Sequence, residues 1–138
     1  CGGTGAGPGF DGCSAVQTHM TNTRSTDPEV LETRFPVRLD EWSIRHGSGG
    51  AGAYRGGDGI TRRMTFLEQM TVTTLCSHRV VPPFGANGGA PGDVGKEWVE
   101  RVDGTIVAHA GNDQTDVFPG DTFVMQTPSG GGWGAITD

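Results

Sequence analysis

The stretch from Thr18 to Arg24, which reads THMTNTR, concentrates polar side chains that could take part in chemistry. His19 and Asn22 offer hydrogen-bond donors and acceptors, and Arg24 adds a permanent positive charge. A loop that carries these groups can stabilise negative charge on a bound substrate. The same groups can also form a helix-capping and turn network, and the residues alone leave the two interpretations open.

Arg55 is a second candidate, because it lies in the glycine-rich stretch GSGGAGAYRGGDG over residues 47–59. The neighbouring Gly56 and Gly57 leave the guanidinium room to meet an anionic group. Arg55 can also pair with Asp58 across a local turn, and we favour this local pairing.

The histidines and cysteines show no metal-ligand spacing. None of them forms an HxH, HxxxH or CxxC pair; they are His19, His46, His78 and His109, and Cys1, Cys13 and Cys76. We therefore expect no metal site built from this chain alone. An odd number of cysteines without a paired spacing favours reduced thiols and a cytoplasmic location.

The glycine-rich stretches do not have the context of a nucleotide-binding loop. Residues 7–12 and 47–52 both match GxGxxG, but neither match is followed by a helical pattern. Gly95-Lys96 is followed by Glu97 rather than the hydroxyl residue of a P-loop. We expect these glycines to shape tight turns between strands.

One short helix is predicted near residues 28–34. Asp27 offers a capping side chain, Pro28 suits the first helical position, and Pro36 ends the segment. Glu29 falls in the first turn.

The remaining periodicity is that of strands. The apolar positions of residues 37–45 change face near Glu41, which predicts a β-bulge. Asp103-Gly104 lies between two strand-like runs and predicts a type I′ hairpin, and Pro119-Gly120 predicts a second turn. Short strands joined by turns, with one helix, predict a mainly β fold: an antiparallel sandwich or barrel-like domain.

Composition limits the possible functions. The chain has 138 residues, 25 of them glycine, with 33% hydrophobic residues and a net charge of −6, which predicts a single β-rich domain over residues 1–138. The absence of a basic stripe argues against nucleic-acid binding, and no apolar run is long enough for a membrane span. Because the chain starts at Cys1 rather than Met, we expect it to be part of a longer polypeptide.

Four segments in order resemble the C-terminal region of the hydantoinase B/oxoprolinase family. They are residues 1–39, residues 47–59, PPFGANGGAPG and PGDTFVMQTPSGGGWG, and HMTNTRSTDPEVLE is the most specific wording. The wording is most similar to that of the ATP-dependent 5-oxoprolinases, which open 5-oxo-L-proline to L-glutamate. N-methylhydantoinases and acetone or acetophenone carboxylase subunits are the alternatives, and a non-catalytic scaffold or interface domain is another.

The resemblance implies how the complete enzyme works. An actin-like hydantoinase A-type ATPase module, fused or separate, phosphorylates a small cyclic amide, and the B-type module completes the reaction. ATP and a divalent metal are expected outside this chain, the complete enzyme is expected to be a homo-oligomer, and this chain alone is expected to be inactive. The motif transfers catalytic roles to His19, Asn22 and Arg24, and substrate-binding roles to Thr21, Thr23, Glu29, Arg55, Gly56 and Gly57.

Overall fold

A computed structural model describes residues 1–17 and 23–136 and shows a mainly β fold with one short helix. Five antiparallel strands form one sheet and two form another, which confirms the predicted fold class. The elements are α1 (Pro28–Arg34), β1 (Val37–Ile44), β2 (Ile60–Phe66), β3 (Met70–Leu75), β4 (Lys96–Glu100), β5 (Ile106–His109), β6 (Asn112–Val117) and β7 (Thr122–Gln126).

The strand order of the larger sheet is β1-β2-β7-β4-β5, and β3 pairs with β6 in the smaller sheet. Strand β7 therefore lies between β2 and β4. Long stretches of chain separate these three strands in the sequence. The five-stranded sheet can form only after these distant segments have come together.

Helix α1 begins as the sequence predicts. An Asp27 side-chain oxygen accepts a hydrogen bond from the Glu29 N–H, and Pro28 occupies the first turn. The predicted bulge is also present, because the register of β1 against β2 shifts between Leu39 and Glu41.

A small apolar core joins the two sheets. It consists of five buried side chains from both sheets: Val37, Phe66, Val99, Val117 and Phe123. Partly buried Met70 and Val72 of the smaller sheet pack against this cluster, as does Leu31 of the helix. Since few large side chains are buried, other contacts must hold much of the chain together.

The predicted hairpin and turn are both present, but the hairpin has another turn type. Strands β4 and β5 pair across Asp103-Gly104. The Gly104 N–H donates to the Arg101 carbonyl and only Gly104 has a positive φ, of 87°, whereas a type I′ turn needs a positive φ at two successive residues. At Pro119-Gly120, the Asp121 N–H donates to the Phe118 carbonyl, and Gly120 has a φ of 89°.

Most of the clustered glycines do not form turns, so that part of the sequence interpretation was wrong. They lie in a glycine bundle, which we define as residues 2–12, 49–59, 85–92 and 130–134. Its segments are joined by backbone hydrogen bonds, such as 2.9 Å from the Gly50 N–H to the Gly130 carbonyl and 2.8 Å from the Gly130 N–H to Gly57.

At most of its glycines, the segments of the glycine bundle approach so closely that a side chain would not fit. A Cβ on Gly56 would lie 2.0 Å from the Gly130 carbonyl oxygen, and one on Gly49 would lie 1.9 Å from that of Gly56. Glycine is required here by contact between backbones rather than by turn geometry.

Candidate functional site

A pocket of about 470 Å³ opens where the segment before helix α1 crosses strands β1 and β2. Two arginines and an indole meet in it. Its walls are Arg24, Ser25, Thr26, Asp27, Pro28, Leu39, Trp42 and Arg62. We call it the arginine pocket. Its volume is in the range of pockets that bind small molecules.

Arg62 is the unusual residue of the arginine pocket, and sequence reasoning did not select it. In register, Arg62 lies between Trp42 of β1 and Met125 of β7. Arg62 is two residues from the buried Ile60 and four from the buried Phe66. Because every second side chain of a strand lies on the same face, Arg62 projects from the core-facing side of the sheet. The two-residue periodicity of β2 is the sequence feature that could have revealed the core-facing position of Arg62.

The charge of Arg62 has no counter-charge nearby in the described part of the chain. Burial lowers the pKa of its guanidinium, and its buried Nε has no hydrogen-bond partner. The four other half-buried arginines each lie within 4 Å of a carboxylate: Arg45 with Asp93, Arg63 with Glu100, Arg79 with Glu97 and Arg101 with Asp121.

The residues predicted from THMTNTR are only partly described. His19, Thr21 and Asn22 lie outside the described residues. Thr23 is exposed, and Arg24 forms part of the wall of the arginine pocket.

Glu29 lies on the exposed surface of helix α1 and is not among the residues that line the arginine pocket. Its backbone N–H donates to the Asp27 side chain over 3.0 Å, and its carbonyl accepts a hydrogen bond from the Thr33 hydroxyl. Both contacts use the backbone of Glu29, and the residue itself is exposed.

Arg55 makes the local pair that the sequence favours. Its guanidinium lies 3.7 Å from a carboxylate oxygen of Asp58, and 53% of its side chain remains exposed. Its backbone N–H donates to the Asp11 carboxylate over 2.6 Å. Gly56 and Gly57 are buried, and their N–H groups donate to the carbonyls of Gly50 and Thr4. Both N–H groups are thus used within the glycine bundle.

A buried polar cluster between the sheets was not predicted. The Glu97 carboxylate, with none of its side chain exposed, accepts hydrogen bonds from the Arg79 guanidinium. His109 pairs with Glu97 in register, and its Nδ1 lies 3.1 Å from the Thr74 hydroxyl. The sequence feature that could have revealed the burial of Glu97 is its spacing of two residues from the buried Val99, which places both side chains on the same face of β4.

Cys76 borders the same cluster. Burial raises the pKa of its thiol, so the protonated form is favoured over the reactive thiolate. All three cysteines are free.

Within residues 1–17 and 23–136, no three His, Cys, Asp or Glu side chains are grouped so that they could hold a metal ion. The same residues contain no helix of sufficient length and hydrophobicity to span a bilayer. Among the described pockets, the arginine pocket combines space for a ligand with a buried guanidinium nitrogen that has no hydrogen-bond partner.

Comparisons with known proteins cover nearly the whole chain. The family model described as hydantoinase B/oxoprolinase matches residues 1–136. A 5-oxoprolinase of Dictyostelium discoideum is 43% identical over 96% of this chain, and a 5-oxoprolinase of Saccharomyces cerevisiae is 45% identical over 100% of it. The chain spans only 10% and 11% of the length of these two relatives.

The fold also matches that of a solved enzyme. The crystal structure of an ATP-dependent caprolactamase from Pseudomonas jessenii superposes with a TM-score of 0.81 at 27% identity. The match covers 97% of this chain and 24% of the caprolactamase chain.

Proposed function

The chain belongs to the hydantoinase B/oxoprolinase family, and from this premise we propose that it is the C-terminal part of an ATP-dependent 5-oxoprolinase. The reaction converts 5-oxo-L-proline, ATP and water to L-glutamate, ADP and phosphate. The observation that carries this proposal is the 43–45% identity to two 5-oxoprolinases, against 27% to the caprolactamase. Residues 1–138 act as one β-rich domain of a longer B-type module in the cytoplasm.

In this proposal, an A-type ATPase module activates the amide carbonyl with the γ-phosphate of ATP, and this region helps to complete ring opening. The A-type module is fused or separate, and the complete enzyme is a homo-oligomer. ATP and a divalent metal bind elsewhere in the enzyme.

The proposed roles of the site residues follow from the motif. His19, Asn22 and Arg24 donate hydrogen bonds to the reacting amide, since such donors stabilise the negative charge that develops there. Substrate binding is proposed for the remaining set, Thr21, Thr23, Glu29, Arg55, Gly56 and Gly57. The position of Arg24 in the wall of the arginine pocket supports its role.

A scaffold function is the second candidate, and the glycine bundle favours it. The N–H groups of Gly56 and Gly57 are bonded to other backbone segments, so this region is built to hold chain segments together. A fragment of a hydantoinase or carboxylase subunit is a third possibility, consistent with the family match.

Turnover by the full-length polypeptide that carries this sequence tests the proposal. ADP and L-glutamate are measured with 5-oxo-L-proline and ATP, and ε-caprolactam, hydantoin and acetone serve as competing substrates. We expect activity with 5-oxo-L-proline, and its absence alongside turnover of another substrate would overturn the 5-oxoprolinase assignment.

Alanine variants then test the site in the same enzyme. We expect His19→Ala, Asn22→Ala and Arg24→Ala each to lower kcat/KM roughly 100-fold or more. Arg34→Ala, an exposed helix position outside the pocket wall, is the control. Near wild-type turnover in all three variants would reject these catalytic roles and leave the scaffold function.

A further inference from the structure

We infer that Arg62 binds the carboxylate of the substrate in the arginine pocket and thereby selects 5-oxo-L-proline over lactams that lack a carboxylate. The inference rests on the proposed function for the identity of the substrate. It rests on the structure alone for the anion-binding character of the pocket.

Arg62 lacks a counter-charge in the described part of the chain. Arg62 is half-buried on the core-facing side of β2, and its Nε is buried without a hydrogen-bond partner. Leaving a buried donor of a charged group without a hydrogen-bond partner is costly, because the group has lost its water and gained nothing in exchange. A guanidinium in this position needs an anion, and no described carboxylate lies within 4 Å of it.

Asp27, the acidic residue that lines the pocket, forms no ion pair with Arg62 within 4 Å, and burial is the cause that lowers the pKa of Arg62. One carboxylate oxygen of Asp27 caps helix α1 through the Glu29 N–H, over 3.0 Å. The segment between the described ranges, residues 18–22, reads THMTN and contains no acidic side chain.

The shape and chemistry of the arginine pocket suit a small cyclic amide that carries a carboxylate. Its volume of about 470 Å³ accommodates a five-membered lactam ring with its carboxylate. Leu39 and Trp42 provide apolar surface for the ring, while Arg24 and Arg62 provide donors. A guanidinium can bind both oxygens of a carboxylate at once, which fixes the orientation of the ring.

An anion-binding guanidinium would also let the pocket distinguish between lactams. 5-Oxo-L-proline carries a carboxylate next to its ring nitrogen, whereas caprolactam has none. A site built to bind a charged group discriminates strongly against an analogue that leaves the site's own charge unpaired. Arg62 would thus act as a specificity-determining residue.

The test uses the full-length enzyme and compares 5-oxo-L-proline with 2-pyrrolidone, the same ring without the carboxylate. Binding is measured by calorimetry for wild type, Arg62→Met and Arg62→Lys. We expect Arg62→Met to weaken 5-oxo-L-proline binding roughly 10- to 100-fold and to leave 2-pyrrolidone binding unchanged. Arg62→Lys should recover part of the loss, because it keeps the charge and loses the bidentate geometry.

Arg63→Met is the matched control. Arg63 is the next residue on β2, lies on the opposite face and pairs with Glu100 over 2.6 Å, so it should not affect binding of either ligand. Unchanged 5-oxo-L-proline affinity in Arg62→Met overturns the proposal. A lower melting temperature with intact 5-oxo-L-proline binding also overturns it, because Arg62 would then pair with a carboxylate of the enzyme itself.

The pocket can be judged even if the proposed function fails. If the wild-type enzyme does not hydrolyse 5-oxo-L-proline, calorimetry with glutarate and L-glutamate tests separately whether the pocket binds carboxylates through Arg62. Wild type and Arg62→Met are compared. Carboxylate binding that depends on Arg62 supports the anion subsite. The absence of such binding for both compounds overturns it.

Discussion

Gly130 lies so close to Thr4 that a Cβ on the glycine would be 1.7 Å from the Thr4 carbonyl oxygen. The obstructing atom belongs to the backbone, so no side-chain rotation can relieve the contact. This relationship joins two distant parts of the chain, and similar backbone contacts recur in the glycine bundle at Gly3, Gly56 and Gly131. It makes the bundle a structural unit that depends on the absence of side chains.

We predict that Gly130→Ala destabilises the chain strongly. The added methyl group must push two backbone segments apart, at a cost of about 1–3 kcal/mol or more. Urea unfolding followed by circular dichroism measures the loss. Gly5→Ala is the matched control, since a Cβ there would meet its nearest atom, the Gly131 carbonyl oxygen, at 3.9 Å. Equal stability of the two variants would contradict the close packing of the bundle.

Residue types predicted the local elements well and the glycine bundle poorly. Asp27 and Pro28 specify the start of α1 through their own side chains, so the helix could be read directly from the sequence. Gly130 requires glycine because of Thr4, a residue far away in sequence, and no local pattern contains that information. The same limit hid the insertion of β7 between β2 and β4.

The candidate site was accessible to sequence reasoning only in part. Arg62 shares a face of β2 with the buried Ile60 and Phe66, which indicates that Arg62 faces the core. The lack of a carboxylate partner for Arg62, however, depends on every element around it. The carboxylate of Glu97 also lies on an apolar face, yet Arg79 neutralises it. Two charges with the same sequence signature therefore have different environments.

The Arg79–Glu97 ion pair supports a second prediction. Because the Glu97 side chain is fully buried, Arg79→Met leaves an uncompensated charge and should lower the free energy of unfolding by about 3–5 kcal/mol. The double variant Arg79→Met/Glu97→Met should recover most of that loss, because neither charge then remains.

Arg38→Met is the control for this pair. Arg38 pairs with Asp40 with 61% of its side chain exposed, and such surface pairs contribute about 0–1 kcal/mol. Urea unfolding of the four proteins provides the comparison. A double variant no more stable than Arg79→Met would show that the charge is not the cause of the loss.

The pH dependence of stability should depend on Asp121. Burial alone would raise the pKa of Asp121, but hydrogen bonds from the Arg101 guanidinium and from the N–H groups of Phe118 and Val102 outweigh it and lower the pKa. A carboxyl group with a lowered folded-state pKa stabilises the fold above its unfolded pKa of about 3.9. That stabilisation is lost as the pH falls through the folded-state pKa.

Asp121→Asn should therefore be less stable than wild type at pH 7, by about 1–3 kcal/mol. The difference should shrink as the pH falls below about 4, because wild type then loses the same contribution. Urea unfolding between neutral and acidic pH measures both effects. Glu68→Gln, at an exposed position, is the control. A difference that stays constant with pH would contradict the role of the Asp121 charge.

Asp58 and Arg55 should differ in their effect on stability. Asp58 accepts hydrogen bonds from Gly49 over 2.7 Å and from Gly47 over 3.3 Å, so Asp58→Ala leaves the buried Gly49 N–H unsatisfied. The expected loss is about 1–3 kcal/mol. Arg55→Ala removes only an exposed ion pair and should cost about 0–1 kcal/mol. Equal losses in urea unfolding would make Arg55 a structural residue and weaken its proposed substrate role.

The isolated 138-residue chain should not hydrolyse 5-oxo-L-proline with ATP. The two similar proteins described as 5-oxoprolinases are about ten times longer, since the chain spans 10–11% of their length. Neither GxGxxG match opens a helix in the described structure, so a nucleotide-binding loop of that type is not formed. Release of ADP and L-glutamate by the purified chain is compared with that of the full-length enzyme at equal molar concentration. Turnover by the isolated chain above the no-enzyme background would show that the ATP site and the reacting groups lie within these residues.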